Sequence, residues 1–563
     1  MNFKEDSHRA SAWQANLPSM ISVLADKWQE AANISINQSQ QVPKKLTTEA
    51  LCVLCGILLF VIPSVIGSAI NAFESFCGAS PKKKSSTNGK DQRNDANGET
   101  NSTTEKEEDE SSTISVWSGS SRKFFDCFCV QTNARKILST SSNHGYLDCI
   151  DGIRAIIFLW IFIAHFFFFY VRSIKNLNKH IKVILEMPIT IVGANAVFGI
   201  DTFIILSGFL TGYLFFDYYE KHNGKIPWIL FYAIRFLRVT PLYLVVLGFY
   251  STLFTYISSS PVWPTYNTNP VCRESWIWNV FYINNFLTHY KQCLNMTWFL
   301  ACVMQLYVIS PLFMIPLKRW PRFGHVLSVV TICISCYATF IITKKHNIFA
   351  TFPKITNETN AIEEINKRMW QFGDELYMKP YIKLTPYLVG MLLGYNLHNR
   401  NLSKKDSWLT LSFGWIMFAF LLWICFFAFD GRDESLWETA VYNGVKTLLF
   451  SLAFSWLIFV FTTQQGGSFG KFFSRPIFKP ISRLSFSAYL TQIIVFEWNF
   501  LSYEVFVSES LFYESIFSDL SWALLLGRMF LWTLVTAFAV SLLFEYPVIR
   551  LLHTYLAGKE KTS

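Results

Sequence analysis

Ile153-Arg154-Ala-Ile-Ile-Phe-Leu-Trp-Ile-Phe-Ile-Ala-His165-Phe-Phe-Phe-Phe-Tyr170-Val171 is an apolar run broken only by one guanidinium and one imidazole. Its length and lack of other charge suit a helix crossing a bilayer. At about 100° per residue, the step from Arg154 to His165 turns roughly 1100°, close to three full turns, so both side chains share a face about 16 Å apart along the axis. Ionisable groups at that depth cost about 2.5–3.5 kcal/mol each on insertion scales and face a bundle interior or a watery cavity. The pair reads as an intramembrane reaction or transport site. The blander reading is an anchor arginine at a span end and a packing histidine.

Composition agrees with this placement. Of 563 residues, 52% are hydrophobic and only 16% charged, with 54 Phe and 19 Trp, which is too apolar for a soluble protein of this size. The expected fold is all-α, a polytopic membrane bundle of about 10–11 helices. Apolar windows fall near 51–71, 153–171, 189–216, 239–258, 298–317, 324–343, 384–398, 408–428, 440–462, 484–502 and 521–543. The chain divides into a tail (1–50), a first transmembrane helix (51–72), a linker (73–144), a main transmembrane domain (145–552) and a second tail (553–563). Within the linker, residues 79–121 are Lys, Ser, Asn, Asp, Glu and Thr, a composition that cannot bury enough apolar surface to order itself.

Charge sets an expected orientation. Connections holding Lys221, Lys225, Arg235 and Arg238, then Lys318, Arg319 and Arg322, then Arg400, Lys404 and Lys405, then Lys471, Arg475, Lys479 and Arg483 read as cytosolic, as does the tail with Arg550, Lys559 and Lys561. The N-terminus is then lumenal or extracellular and the C-terminus cytosolic, in the endoplasmic reticulum or plasma membrane. Sequons at Asn33, Asn37, Asn295 and Asn357 fall on the lumenal side, and so do Cys272 and Cys293, an expected disulfide in an oxidising compartment. The basic 172–188 loop, with Arg172, Lys175, Lys179 and Lys182, runs against this assignment. Cys52-x-x-Cys55 and Cys333-x-x-Cys336 lie in apolar spans without a second ligand pair, so they read as packing residues and no metal site is expected. Lys82-Lys83-Lys84 is a topology signal rather than a nucleic-acid site.

Further polar residues sit in or beside the spans. In Gly199-Ile-Asp201-Thr-Phe-Ile-Ile-Leu-Ser207-Gly208, Asp201 and Gly208 share a helix face, and Gly208 admits a close neighbouring backbone. Asp201 and Ser207 serve either packing or a cavity. Arg235 and Arg238, three apart at the start of span four, suit phosphate or simply snorkel to the headgroups. Gln305 and Tyr307 lie within span five, where Gln305 bonds another helix or lines the cavity. Glu545 ends the last span, within reach of Arg550.

The order of IRAIIFLWIFIAH, GIDTFIILSGFL, RFLRVTPLY, WFLACVMQLYVISPLF, LSFSAYL and FEYP resembles acyltransferase family 3, in particular its animal branch of nose resistant to fluoxetine-like proteins, over about residues 145–552. The resemblance implies an O-acyltransferase that moves an acyl group from cytosolic acyl-CoA, as co-substrate, to a hydroxyl of a lipid or small-molecule acceptor. It implies His165 as base, Arg154 as donor support, and Arg235 and Arg238 as the basic motif. A neutral imidazole can take a hydroxyl proton at physiological pH, and arginines can hold CoA phosphates. The chain departs from the family pattern where Val303 and Met304 replace an acidic position and where Thr491-Gln492 follows Tyr489-Leu490 in place of a histidine. The second functional class is a non-catalytic or transport protein moving lipids or xenobiotics. Acceptor, acyl length and oligomeric state are not written in these motifs.

Overall fold

The computed structural model describes residues 44–77, 119–141, 148–172, 193, 195–260, 263–349, 361–400, 402, 404–427, 435–502 and 519–560. The sequons at Asn33, Asn37 and Asn357, the low-complexity tract as far as residue 118, the basic loop from 173 to 188 and Lys561 lie outside the described residues.

The described residues form helices and no strand. In chain order they are α1 (Thr48–Cys77), α2 (Gly119–Phe128), α3 (Val130–Leu138), α4 (Asp148–Arg172), α5 (Val197–Lys221), α6 (Trp228–Gly248), α7 (Pro270–Val280), α8 (Trp298–Ile309) and α9 (Pro311–Arg319). There follow α10 (Pro321–His346), α11 (Ala361–Phe372), α12 (Pro380–His398), α13 (Trp408–Phe427), α14 (Leu436–Thr462), α15 (Gly467–Phe473), α16 (Phe478–Ser502), α17 (Asp519–Val540) and α18 (Tyr546–Glu560). Nine stretches among the described residues are long and apolar enough to cross a membrane. The windows at 384–398 and 484–502 fall on α12 and α16, several of whose polar residues, among them Lys383, Thr385, Ser487 and Gln492, are buried. The protein is an all-α, multi-pass membrane protein.

The bundle is built around α5 and α12. Gly208 and Gly212 on α5 lie against the α12 backbone at Tyr387 and Met391, and Gly390 and Gly394 on α12 lie against the α5 backbone at Ile205 and Phe209, two small-x-x-x-small rows that bring the helices together. A Cβ at Gly208 would lie 2.1 Å from the Tyr387 carbonyl oxygen, and one at Gly390 would lie 2.1 Å from that of Ile205. Asp201, on the same face, forms a buried ion pair with Lys383 of α12 at 2.6 Å. Around this pair pack α4, α8, α10 and α14, while α16 lies along α4 and is covered by α17. Helices α1 and α13 are mostly outward-facing, as lipid contact permits.

Helix α4 is wedged between two cores. Ile153, Ile157 and Ile161 pack into one cluster with α5, and Gly199 leaves room for Ile161, 2.9 Å from where a Cβ would be. Phe158, Phe162, Phe166 and Tyr170 fill a second with Ala488 and Phe496 of α16 and Met529 and Ala537 of α17. Among the described residues three π turns, Phe249–Leu253, Gly373–Tyr377 and Ser541–Glu545, interrupt the regular winding.

Candidate functional site

Arg154 and His165 lie on one uninterrupted helix, α4, which begins at Asp148, so Arg154 is about 9 Å inside its first residue. Both residues are partly buried, in line with Phe158 and Ile161 on the seam between the two cores.

His165 faces α16. Its ring lies 6.1 Å from that of Tyr489, and Gln492, one turn further along, comes within interaction range of the imidazole. The His165 Nδ1 and the Gln492 Oε1 are buried and carry no hydrogen bond among the described residues, while the Gln492 amide donates to the Tyr489 carbonyl at 3.2 Å. Tyr489 is committed elsewhere: its hydroxyl donates to the Met296 carbonyl at 2.8 Å, and its ring meets Phe299 at 5.6 Å. No carboxylate bonds His165 among the described residues. Orphaned polar atoms in a packed interior call for a partner that the chain does not itself supply.

Toward the start of α4, three guanidinium groups converge. Arg154 is close enough to Arg238 and Arg235 of α6 to be repelled by both, and Asp151 opposes them. Asp151 accepts from the Ser482 hydroxyl at 2.7 Å. The Arg235 Nη2 donates to the Ser207 hydroxyl at 3.5 Å, and the guanidinium lies 5.4 Å over the Tyr307 ring. Its Nε is buried and unpaired among the described residues. Like charges held together inside a protein are costly unless an anion joins them.

Two expectations need correction. The arginines do not open their helix: α6 begins at Trp228, because Trp-Ile-Leu-Phe-Tyr continues the apolar pattern, and Arg235 and Arg238 sit about two and nearly three turns inside it. Glu545 does not pair with Arg550. That arginine is engaged by Asp126 and by Asn133 at 3.1 Å. The π turn Ser541–Glu545 swings Glu545 inward instead, where it accepts from Ser487 at 2.5 Å and Ser541 at 2.8 Å, near Arg238.

The remaining candidates are structural in geometry. Gln305 exchanges hydrogen bonds with Asn285 at 2.9 and 3.1 Å and donates to the Tyr282 carbonyl at 2.7 Å, tying α8 to a loop. Tyr307 donates to the Phe231 carbonyl at 3.0 Å and stacks on the Phe231 ring, with the Arg235 guanidinium also over the Tyr307 ring. Asp201 is held by Lys383, whose ammonium also lies 3.9 Å over the Tyr377 ring. Cys272 and Cys293 are disulfide-bonded, joining α7 to the turn before α8. No group of three or more His, Cys, Asp or Glu suited to a metal occurs among the described residues.

Sequence reading missed Lys383, Ser482 and Ser487 as partners of buried charges and missed that Gln492 lies against His165. Each partner is more than a hundred residues away except the Ser487–Glu545 contact, so periodicity carried no signal of it.

Comparison with known proteins gives this geometry a family. A profile described as "Acyltransferase domain" (Acyl_transf_3) matches residues 147–550, most of the chain and all of the site. The chain is 28% identical over 410 residues, 67% of its length, to "Nose resistant to fluoxetine protein 6" of Caenorhabditis elegans, of which it covers 48%. It is 25% identical over 301 residues, 48% of its length, to "Regulator of hypoxia-inducible factor 1" of the same organism, of which it covers 55%. The chain thus spans about half the length of the curated relatives it matches. Among solved structures none matches it. On the extent of the profile match, the chain belongs to the Acyl_transf_3 family of membrane acyltransferases.

Proposed function

We propose that this protein is an O-acyltransferase that takes an acyl group from acyl-CoA on the cytosolic side and passes it to a hydroxyl of a lipid or small-molecule acceptor. The observation that carries this reading lies along α4: Arg154 at one end with Arg235 and Arg238 of α6 in its neighbourhood, and an imidazole with an unpaired nitrogen three turns further in. Arg154, Arg235 and Arg238 hold the donor's phosphates, and the Nε and fork of Arg235 suit bidentate contact. The thioester then reaches along α4 toward His165. The imidazole takes the proton of the acceptor hydroxyl as its oxygen attacks the thioester carbonyl, then returns it to the departing thiolate. Gln492 lies against the ring where no carboxylate does among the described residues. The basic connections after α5, α9, α12 and α14 support a cytosolic arginine end.

The test is acyl transfer from radiolabelled acyl-CoA into the lipid and small-molecule extract of expressing membranes. His165→Ala is expected to lower the rate about 10²–10⁴-fold at unchanged expression. Arg235→Gln and Arg238→Gln are expected to raise the KM for acyl-CoA. Transfer by His165→Ala at the wild-type rate ends the catalytic reading. Movement of a lipid or xenobiotic across reconstituted vesicles without acyl-CoA consumption would replace it with transport.

A further inference from the structure

We propose that α2 and α3 form a binding site for anionic lipid headgroups at one surface of the bilayer. Lys123, Arg135 and Lys136 supply the charge, and Phe124 and Leu138 supply the apolar anchors. The inference is independent of the acyl-transfer reading.

Depth comes first. The two short helices are fastened to the far end of α1. Ser68 accepts from the Val130 amide at 3.0 Å, the Asn71 amide contacts the Cys129 sulfur at 2.9 Å, and Arg122 bonds Glu74 at 2.8 Å. At Gly67 a Cβ would stand 2.2 Å from the Phe125 carbonyl oxygen, so the α2 backbone lies directly on α1. The climb from Thr48 to Gly67 is about 29 Å at the helical rise. The hydrocarbon core is about 30 Å thick. A unit that rests on α1 from Gly67 to Glu74 therefore lies at headgroup level.

The unit is amphipathic in the manner of an interfacial element. Cys127, Phe128, Cys129, Asn133 and Ile137 are buried against the bundle, whereas Lys123, Phe124, Arg135, Lys136 and Leu138 are exposed. Phe124 and Leu138 are 43% and 54% exposed, and Phe73 and Phe76 at the end of α1 are 60% and 86% exposed. Such apolar surface is stable beside acyl chains and costly in water.

Charge then selects the lipid. Arg122 is neutralised by Glu74, and the one acid of the unit, Asp126, is taken by Arg550. Lys123, Arg135 and Lys136 make no ion pair and no side-chain hydrogen bond among the described residues. A juxtamembrane cation strengthens attraction to an anionic leaflet about fivefold, so three together give on the order of a hundredfold. The unit is also rigid. Arg483 of α16 donates to the carbonyls of Lys136, Ile137 (3.1 Å) and Ser139, which pins the end of α3. Helix α3 also packs on the π turn that carries Glu545.

The experiment uses the purified full-length chain in micelles containing equal parts phosphatidylcholine and phosphatidylserine, with retained lipids counted by native mass spectrometry. The wild type is expected to retain phosphatidylserine in preference. K123Q/R135Q/K136Q should lose that preference by at least about tenfold. K123R/R135K/K136R should keep it, and so should K404Q/K405Q, which removes exposed cations elsewhere. Retention by the triple glutamine variant equal to wild type overturns the proposal. So does displacement of the lipid from wild type by inorganic phosphate, which would mark a soluble anion as the ligand. Should the glutamine variant not fold, high salt applied to the wild type replaces it: loss of the preference supports the site, and its persistence overturns it.

Discussion

Replacing Lys383 by methionine tests what holds the centre of the bundle together. The Lys383 ammonium and the Asp201 carboxylate are 2.6 Å apart, with side chains 1% and 4% exposed. At an effective dielectric near 20 their attraction is about 6 kcal/mol, most of it offset by the cost of taking both charges out of water. Removing one partner leaves the other's desolvation uncompensated, so Lys383→Met is expected to cost about 3–5 kcal/mol. Asp201→Asn should cost less. The stranded ammonium keeps its place 3.9 Å over Tyr377 and 5.8 Å over Trp298. Those faces return about 2 kcal/mol when desolvated. The double variant Asp201→Asn with Lys383→Met buries no charge and should lie within about 1–2 kcal/mol of wild type, far from the sum of the singles. The assay is denaturant or heat unfolding of the purified protein in micelles, read by monodispersity on size exclusion. Additive single effects, or a Lys383→Met protein as stable as wild type, would refute the reasoning.

Two glycines give a matched contrast. Gly208→Ala puts a methyl 2.1 Å from the Tyr387 carbonyl and should separate α5 from α12, whereas Gly56→Ala meets nothing within 4 Å and should be neutral or stabilising by up to about 1 kcal/mol. Thermal midpoints of the two variants measure the difference. The Cys272–Cys293 bond spans 21 residues, so the double serine variant should lose about 3 kcal/mol, seen as a lower midpoint that reductant does not lower further. Asp406, outside the spans, is held below the ordinary carboxylate value of 3.8, chiefly by its bond to Arg400 and then by Gln465. A depressed pKa stabilises above the ordinary value and is lost as pH falls through the depressed one. Asp406→Asn should therefore cost about 1 kcal/mol at neutral pH and little in strong acid, compared by unfolding at the two pH values.

The membrane fold was legible because hydrocarbon imposes a length and a polarity on each span, and both are one-dimensional properties. Each of the eleven apolar windows overlaps a helix among the described residues, with boundaries shifted where charge sits inside a span: Arg235 and Arg238 made α6 look shorter than it is. Lys383 escaped notice for the same reason, lying just before the window at 384–398 and yet buried in α12. Glu545 and Arg550 looked like partners because they are near in sequence, but a π turn points the carboxylate to Ser487 of another helix.

Sequence alone determined that the chain spans a membrane, that α4 carries a cation and an imidazole on one face, and that Gly208 invites a close neighbour. Those follow from hydropathy, helical periodicity and the absence of a side chain, each local. Tertiary structure decided that the close neighbour is α12, that Asp201 is neutralised there, that Arg235 and Arg238 turn toward Arg154, and that Gln492 stands against His165. These are meetings between helices far apart in the chain. Inside a bilayer they are selected by close packing and by the need to compensate buried charge, terms that exist only once the helices are assembled.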